Sequence, residues 1–341
     1  MKIIIALIFL SIIIMIHELG HFLTGKMVGI YAEEFSIGMG PRLLKYEGKE
    51  TVYSLRALPI GGYVKFLGED DSCNNPRAFN NVAVWKRFLV VASGALMNFL
   101  FAIVLLSILF STHGIYVPLP TIANVEKDSP AHIAGIEKDD EIVSIDNIDI
   151  TNMDVEDAVV TIRDVLNEKG SKPVDIKVLR QGEQHSFNII PRYNEDAQRY
   201  IIGIEFGYER KKLGAGHSFI TAISQTGKIL VLMLKSLGSL IFKHEGVGDV
   251  MGPVGIVGEI GKAAEAGAEQ LMTLGIIISL NLGILNLIPF PALDGGRLLF
   301  LIIESIRGKP MNREKEGLIN LVGFALLLLL MIVVTFKDIT G

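Results

Sequence analysis

Four long apolar runs lie along the chain, with polar stretches between them. They cover residues 3–23, 88–110, 271–288 and 318–336, and the third continues as an apolar stretch to residue 303. About 20 apolar residues in a helix are needed to cross the hydrocarbon core of a bilayer, and each run is close to that length. The pattern predicts a polytopic α-helical membrane protein with about four transmembrane helices.

Residues 111–212 follow a different pattern, because short apolar strands alternate there with turns. We expect strands at residues 121–125, 141–145, 174–179 and 187–190, and one helix at residues 155–166. Short strand-forming runs bounded by turn residues are typical of a small β-rich fold. The sequence therefore predicts a β-rich domain inserted after residues 1–110, which hold the first two membrane helices.

Residues 213–270 join this domain to the last two membrane helices, which we place in residues 271–341. Within the linker, segment 217–242 repeats apolar residues at helical spacing: Phe219, Ile223, Leu230, Met233, Leu234, Leu237 and Ile241. Lys228 and Lys235 interrupt the segment, a pattern typical of an amphipathic helix that lies on the membrane surface. A fifth membrane span is the alternative.

The composition supports a membrane protein and excludes other classes. Half of the residues are apolar, the mean hydropathy is +0.45 and charged residues make up 20%. The formal net charge is -5, and no run is rich in Lys and Arg, so nucleic-acid binding is not expected. Basic residues concentrate in the loop between the first two spans and in the loop before the last one. The positive-inside rule therefore places these loops in the cytosol and residues 111–212 outside the cell membrane.

The inner part of the first apolar run carries the sequence His17-Glu18-Leu19-Gly20-His21. On a helix the two histidines lie one turn apart on the same face, so both rings can bind one zinc ion. Glu18 lies beside them as a general base for an attacking water. Two packed histidines at a helix end are the alternative. Ionisable side chains inside a membrane span are costly, however, and usually serve a function.

A catalytic zinc site normally has three protein ligands, and the single cysteine, Cys73, offers no thiolate cluster. Asp294 is the best candidate for the third ligand. It follows roughly 20 apolar residues in a span parallel to the first, and His17 lies about 22 Å along its own helix, so both reach a similar depth. Pro289 and Pro291 should break the helix just before Asp294. A turn at the membrane interface, in which Asp294 only caps a helix, is the alternative.

Two further features concern the neighbourhood of this site. Extended apolar pieces at residues 51–58 and 63–67 flank residues 59–62 in the cytosolic loop. They predict a β-hairpin or a sheet edge close to the membrane. We expect the active site to lie near the cytosolic face of the membrane. Asn98 places an amide inside the second apolar run, where an unpaired polar group is costly. The amide therefore needs a partner.

Together these features resemble a known protease family. The resemblance rests on HELGH in the first span, Gly61-Gly62-Tyr63-Val64-Lys65 in the loop, Gly94 and Asn98 in the second span, GPVGI at residues 252–256, and NLIPFPALDGG at residues 286–296. In this combination and order they are similar to the site-2 proteases, specifically the bacterial regulator-of-sigma-E protease type. Residues 129–146 also resemble a PDZ domain, although Asp139-Asp140 stands where PDZ domains commonly have Gly-Asp.

The resemblance implies intramembrane proteolysis that depends on one zinc ion. Its ligands would be His17, His21 and Asp294, with Glu18 as the general base, and the residues near the substrate would be Asn98, Gly61, Gly62 and Tyr63. The expected partners are the lipid bilayer and single-pass membrane proteins, such as anti-sigma factors or remnant signal peptides, cut within or near their membrane segment. A catalytically silent membrane scaffold, with a PDZ domain and a structural zinc, is the remaining alternative.

Overall fold

A computed structural model describes residues 2–69, 73–195, 197–243, 248 and 251–340. The chain divides into two compact units, Met1–Ser111 with Gly214–Gly341 as the first and Thr112–Leu213 as the second. In chain order the elements are α1 (Lys2–Met27), β1 (Ala32–Glu47), β2 (Val52–Phe66), a 3-10 turn (Phe79–Asn81), α2 (Val84–Thr112), β3 (Ile115–Val125), α3 (Pro130–Ala134), β4 (Glu141–Ile145), β5 (Ile148–Asp149), α4 (Val155–Lys169), β6 (Val174–Arg180), β7 (Glu183–Ile189), β8 (Arg192–Asn194), β9 (Arg199–Ile201), β10 (Ile204–Lys211), α5 (Ala215–Lys243), α6 (Pro253–Ala266), α7 (Ala268–Leu287), α8 (Asp294–Arg307) and α9 (Arg313–Thr340).

Among the described residues, five helices are long and apolar enough to cross a membrane: α1, α2, α5, α7 and α9. Four of them contain the predicted spans, which are confirmed as helices. The fifth, α5, covers the segment predicted to be amphipathic, and its mean hydropathy of 1.2 is the lowest of the five. Length and composition alone therefore fit both interpretations of α5.

Small residues let the membrane helices of the first unit approach closely. A Cβ atom on Gly20 of α1 would lie 2.4 Å from the carbonyl oxygen of Ser93 on α2. On α7, a Cβ on Gly283 would lie 2.4 Å from the ring of Phe99. Without a hydrophobic driving force in lipid, such close backbone packing is a main source of helix association.

The apolar stretch predicted to run from residue 271 to residue 303 is split in two. Helix α7 ends at Leu287 and α8 begins at Asp294, because proline cannot continue a helix and two prolines lie between them. The chain turns back sharply here, and a Cβ on Gly295 would lie 2.0 Å from the carbonyl oxygen of Ile288. Only glycine fits at this position. The break leaves Asp294 as the first residue of α8.

Both extended pieces predicted at residues 51–58 and 63–67 lie in β2, and they form a hairpin with β1 rather than with each other. Strand β1 was not predicted from the sequence. Its first half has partners on two sides, since Ser36 lies opposite both Tyr63 and Ser54. The strand segments therefore lie in the order 42–47, 52–58, 32–39 and 62–66. In the part of the chain that the structure describes, no further strand pairs with segment 62–66, which forms an edge.

The second unit confirms the prediction of a β-rich region. Its main sheet has the order β10-β3-β4-β6-β7, and β4, β6 and β7 lie close to the predicted strands. Helix α4 begins at the predicted residue and runs three residues further. The core of the second unit consists mainly of β-branched residues from the sheet and from α4, including Ile122, Ile142, Ile145, Ile162 and Ile176.

Asp140, the second residue of the Asp139-Asp140 pair, has a structural role in this unit. Asp140 is fully buried and accepts hydrogen bonds from Arg180 at 2.7 Å on each carboxylate oxygen. Burial alone would raise the pKa of Asp140, but the hydrogen bonds and charge of Arg180, together with the backbone N–H of Glu137, lower it below its ordinary value. The carboxylate thus stays ionised and ties β6 to the turn before β4.

Candidate metal centre

Three side chains from two distant parts of the sequence meet at one point in the first unit. His17 and His21 lie one turn apart on α1, and Asp294 begins α8. Asp294 Oδ2 lies 3.0 Å from His17 Nε2 and 3.3 Å from His21 Nε2, and the two Nε2 atoms are 3.1 Å apart. All three side chains are at most 19% exposed. The structure thus brings together the three ligands predicted from the sequence.

The geometry of these donor atoms fits a zinc ion. Zinc bonds of 2.0–2.1 Å in a tetrahedral arrangement give edges of about 3.3 Å between neighbouring ligand atoms. The three observed separations, 3.0 to 3.3 Å, are close to this edge length. Asp294 Oδ2 is also buried and makes no hydrogen bond among the described residues. Its lone pairs point at the place where a cation would lie.

Helix α2 packs behind the two histidines and contacts both rings. His21 Nδ1 lies 2.8 Å from the carbonyl oxygen of Val90, which can only accept a hydrogen bond. Nδ1 of His21 therefore carries the proton, and Nε2 presents its lone pair to the centre. On the other ring, Nδ1 of His17 lies 3.2 Å from Asn98 Nδ2.

Gly94 makes the contact between α2 and the histidines possible. A Cβ atom at this position would lie 2.4 Å from His21 Nε2 and 2.7 Å from His17 Cε1. Such distances are far below van der Waals contact. Any side chain at residue 94 would therefore overlap with the rings of His17 and His21.

Glu18 lies beside the ligands and is held by the hairpin. Its carboxylate accepts a hydrogen bond from the backbone N–H of Val64 in β2. A cavity of about 180 Å³ opens at this point, lined by His17, Glu18, His21, Val64, Phe66, Glu69, Phe79, Val90, Val91, Asp294 and Arg297. A water or a carbonyl group in this cavity lies within reach of both the base and the ligands.

A larger polar cavity of about 620 Å³ adjoins the first one and shares Glu69, Phe79, Val91 and Arg297 with it. Two ion pairs line it. Arg297 Nη1 lies 2.6 Å from Glu69 Oε1, and Arg87 donates to both carboxylate oxygens of Glu304 at 2.6 and 3.0 Å. Both pairs fix α8, whose first residue is Asp294. Sequence reasoning missed them because their partners lie far apart in the chain.

The middle of β2, at residues 59–62, runs alongside α1 next to the site. Pro59 accepts a hydrogen bond from Ser11 Oγ, and a Cβ on Gly61 would meet Ile14 at 3.5 Å. A Cβ on Gly62 would lie 3.9 Å from Glu18 Cγ and 2.5 Å from the carbonyl oxygen of Ser36. The predicted glycines thus lie at the hairpin edge that faces Glu18.

Tyr63 belongs to a polar cluster inside the hairpin that sequence reasoning missed. Glu34 accepts hydrogen bonds from Ser54 at 2.5 Å and from Arg56 and Arg42 at 2.9 Å each, and Arg56 also contacts the Tyr63 hydroxyl. Burial would raise the pKa of Glu34, but these hydrogen bonds and charges lower it to about 2. The cluster connects four strand segments whose pairing the sequence does not reveal.

Two imidazoles and a carboxylate around one point, with a second carboxylate beside them and apolar helices on several sides, define a metalloprotease embedded in a membrane. Comparison with known proteins gives the family. The sequence profile of peptidase family M50 matches residues 5–330. The chain therefore belongs to peptidase family M50, the site-2 proteases, and is a zinc metalloprotease.

The relatives of the chain cover almost its whole length. It is 39% identical over 339 residues to a protein of Clostridium acetobutylicum, covering 99% of this chain and 97% of that protein. It is 30% identical to the zinc metalloprotease RasP of Geobacillus kaustophilus and 28% identical to the RasP of Oceanobacillus iheyensis, each covering 96% of this chain. The match covers 95% and 96% of these two relatives. Both units of the chain therefore take part in the similarity.

Gly94→Ala should remove zinc from the protein without unfolding it. The added methyl group overlaps with the two metal-binding rings, so at least one ring must move away from the centre. We expect zinc content, measured by mass spectrometry of the purified protein, to fall to a small fraction of the wild-type value. Gly227→Ala is the matched control, because no atom lies within 4 Å of a Cβ at that helical glycine. Full zinc content in Gly94→Ala would contradict the observed contact.

Proposed function

We propose that this zinc metalloprotease hydrolyses peptide bonds within or near the membrane segment of single-pass membrane proteins. The observation that carries the proposal is the position of His17, Glu18 and His21 on α1, a helix that is apolar enough to cross a bilayer, with Asp294 of α8 beside them. A peptide bond can reach such a site only from within the membrane or from its edge. Anti-sigma factors and remnant signal peptides are the expected classes of substrate.

The reaction needs a nucleophile, a base and a route for protons. His17, His21 and Asp294 would hold the zinc ion, which would lower the pKa of a bound water to about 7 and polarise the scissile carbonyl. Glu18 accepts a proton from the attacking water as its oxygen adds to the carbonyl carbon. As the C–N bond breaks, Glu18 returns this proton to the leaving nitrogen. The adjoining polar cavity supports the proposal, since it offers a path for water to a site surrounded by apolar helices.

The hairpin edge supports a mode of substrate binding. The N–H of Val64 points away from β1 to Glu18, and the N–H of Phe66 points to Glu69 Oε2 at 3.3 Å. Alternate backbone groups of a strand point to the same side, so Gly62 also presents its N–H and C=O to the cleft. We propose that an unwound substrate pairs with Gly61, Gly62 and Tyr63 as an added strand. Strand pairing would hold the scissile carbonyl beside the base.

The connections of α5 and α6 support four membrane crossings. The chain after α5 reaches the far end of α9, where Gly248 accepts a hydrogen bond from Lys337 and Gly252 N donates to Asp338 at 2.9 Å. The first turns of α5 pack through buried Ser218 and Ala222 into a cluster that includes Leu106, near the end of α2. Helices α2 and α9 both end on the side away from the metal centre. Both ends of α5 therefore belong to one side, which favours a helix on the outer surface.

We place this side outside the cytosol, because basic residues concentrate on the other side of the helices. The inserted unit Thr112–Leu213 is then extracytoplasmic. Its six-stranded sheet with α3 and α4 supports the PDZ-like interpretation made from the sequence. An experimental structure of the unit with a different strand order would overturn that interpretation.

Glu18→Gln should stop proteolysis while the protein remains folded and zinc-loaded. The amide has a similar shape but cannot take up the proton, so we expect cleavage of a membrane substrate to fall by about 10²–10⁴-fold. Asp294→Ala should instead lose zinc as well as activity. Cleavage in cells and zinc content of the purified variants separate the two effects. Wild-type cleavage by Glu18→Gln would overturn the assignment of Glu18 as the general base.

A cysteine scan tests strand addition at the hairpin edge. Lys65→Cys, in a Glu18→Gln and Cys73→Ser background, should form disulfides with every second position of a trapped signal-peptide substrate, because side chains on one face of a strand repeat with period two. Lys45→Cys, on the opposite edge segment, is the matched control and should form none. Cross-links at every third or fourth position would mean that the substrate docks as a helix.

Labelling from outside the cell tests the arrangement in the membrane. In a Cys73→Ser background, a membrane-impermeant maleimide should label Lys138→Cys and Lys243→Cys in intact cells. It should label Lys309→Cys only after the membrane is opened. Labelling at residue 138 without labelling at residue 243 would mean that α5 crosses the bilayer, and labelling of residue 309 in intact cells would reverse the orientation.

A further inference from the structure

Asn98 lies behind the metal centre and has no surface in the cleft. Its side chain is fully buried on α2, and the cavity at Glu18 is lined by other residues. Its closest polar neighbour is His17, with Asn98 Nδ2 lying 3.2 Å from His17 Nδ1. Complete burial argues against the direct substrate contact expected from the sequence. The Asn98 amide can therefore influence the metal centre only through His17.

The chemistry of zinc binding decides which end of the amide must face His17. Nε2 of His17 points at the centre, 3.0 Å from Asp294 Oδ2, so this nitrogen must offer its lone pair to the metal. A neutral imidazole carries one proton, which then lies on Nδ1. With Nδ2 of Asn98 directed at that atom, two hydrogen-bond donors would face each other.

A half-turn of the amide removes this conflict. The oxygen and nitrogen of an Asn side chain exchange places in such a rotation, and the two orientations have almost the same shape. As placed, Asn98 Oδ1 is buried without a hydrogen-bond partner among the described residues. The rotation therefore gives up no hydrogen bond at that end and creates one from His17 Nδ1 to Oδ1.

We propose that Asn98 is a positioning residue that orients His17 for zinc through its side-chain oxygen. The proposal rests on the zinc centre of the proposed function. Each histidine then donates its Nδ1 proton to an acceptor on α2, His21 to the carbonyl of Val90 and His17 to the amide of Asn98. A hydrogen bond of this kind fixes the ring and raises the basicity of the ligating nitrogen. One helix thus sets the tautomer of both ligands.

Zinc affinity distinguishes this role from helix packing and from substrate binding. In Asn98→Leu the volume is similar but the acceptor is lost, so we expect zinc to bind about 10–100-fold more weakly. In Asn98→Asp the acceptor is present in either orientation, and we expect affinity within about threefold of the wild type. The measurement is competition with a chromophoric chelator, using purified full-length protein in detergent.

Ser279→Ala is the matched control for packing at the same level of the helices. Ser279 Oγ on α7 donates to the backbone carbonyl of Asn98 at 2.8 Å, away from His17. Its loss should lower thermal stability without changing zinc affinity. Wild-type zinc affinity in Asn98→Leu, or an equal loss in Asn98→Leu and Asn98→Asp, would overturn the proposal. Neither outcome depends on proteolysis, so failure here and failure of the Glu18→Gln test are distinguishable.

Discussion

The structure of the membrane unit depends on one requirement, that a carboxylate near residue 294 meets two imidazoles nearly 280 positions earlier in the chain. The break between α7 and α8 provides the turn, and Gly295 lets the backbone return on itself. Helix α9 contributes no ligand but holds this turn. Asn320 Oδ1 accepts from the N–H of Ala292 at 3.2 Å, and a Cβ on Gly323 would lie 2.5 Å from Pro291. A helix without any catalytic group is therefore part of the centre's support.

Close packing of α2 against α1 constrains the two histidine rings on the other side of the centre. Where α2 crosses α1, Gly20 and Gly94 bring the backbones close enough for the histidines to touch the neighbouring helix. The rings then have little freedom to rotate, which is how a site holds ligands in place before metal arrives. The hairpin adds the third wall, and the Glu34 cluster keeps its strand segments in register. Helix α1 carries both histidines and Glu18, and the sheet contacts Glu18 from the side.

Much of this arrangement could be predicted from the sequence, for reasons that particular residues make clear. HELGH and LDGG are local patterns that can be recognised without knowledge of the fold. The two prolines before Asp294 predict a helix break, because proline cannot continue a helix. The double pairing of β1 could not be predicted, because the period-two pattern shows which residues face the same way but not how many neighbours a strand has. The Glu34 cluster and the ion pairs of α8 were missed for the same reason. They join residues that only the fold brings together. The number of membrane spans was ambiguous because α5 is apolar enough either to cross the membrane or to lie on its surface.

The polar cavity beside the metal centre also has a meaning for turnover. Hydrolysis consumes one water molecule for each bond cut. A polar cavity of about 620 Å³ adjoins the centre, and it is large enough to hold several water molecules at once. Supply of water then need not coincide with entry of the substrate, and the helices can stay closed against lipid while the bond is cut.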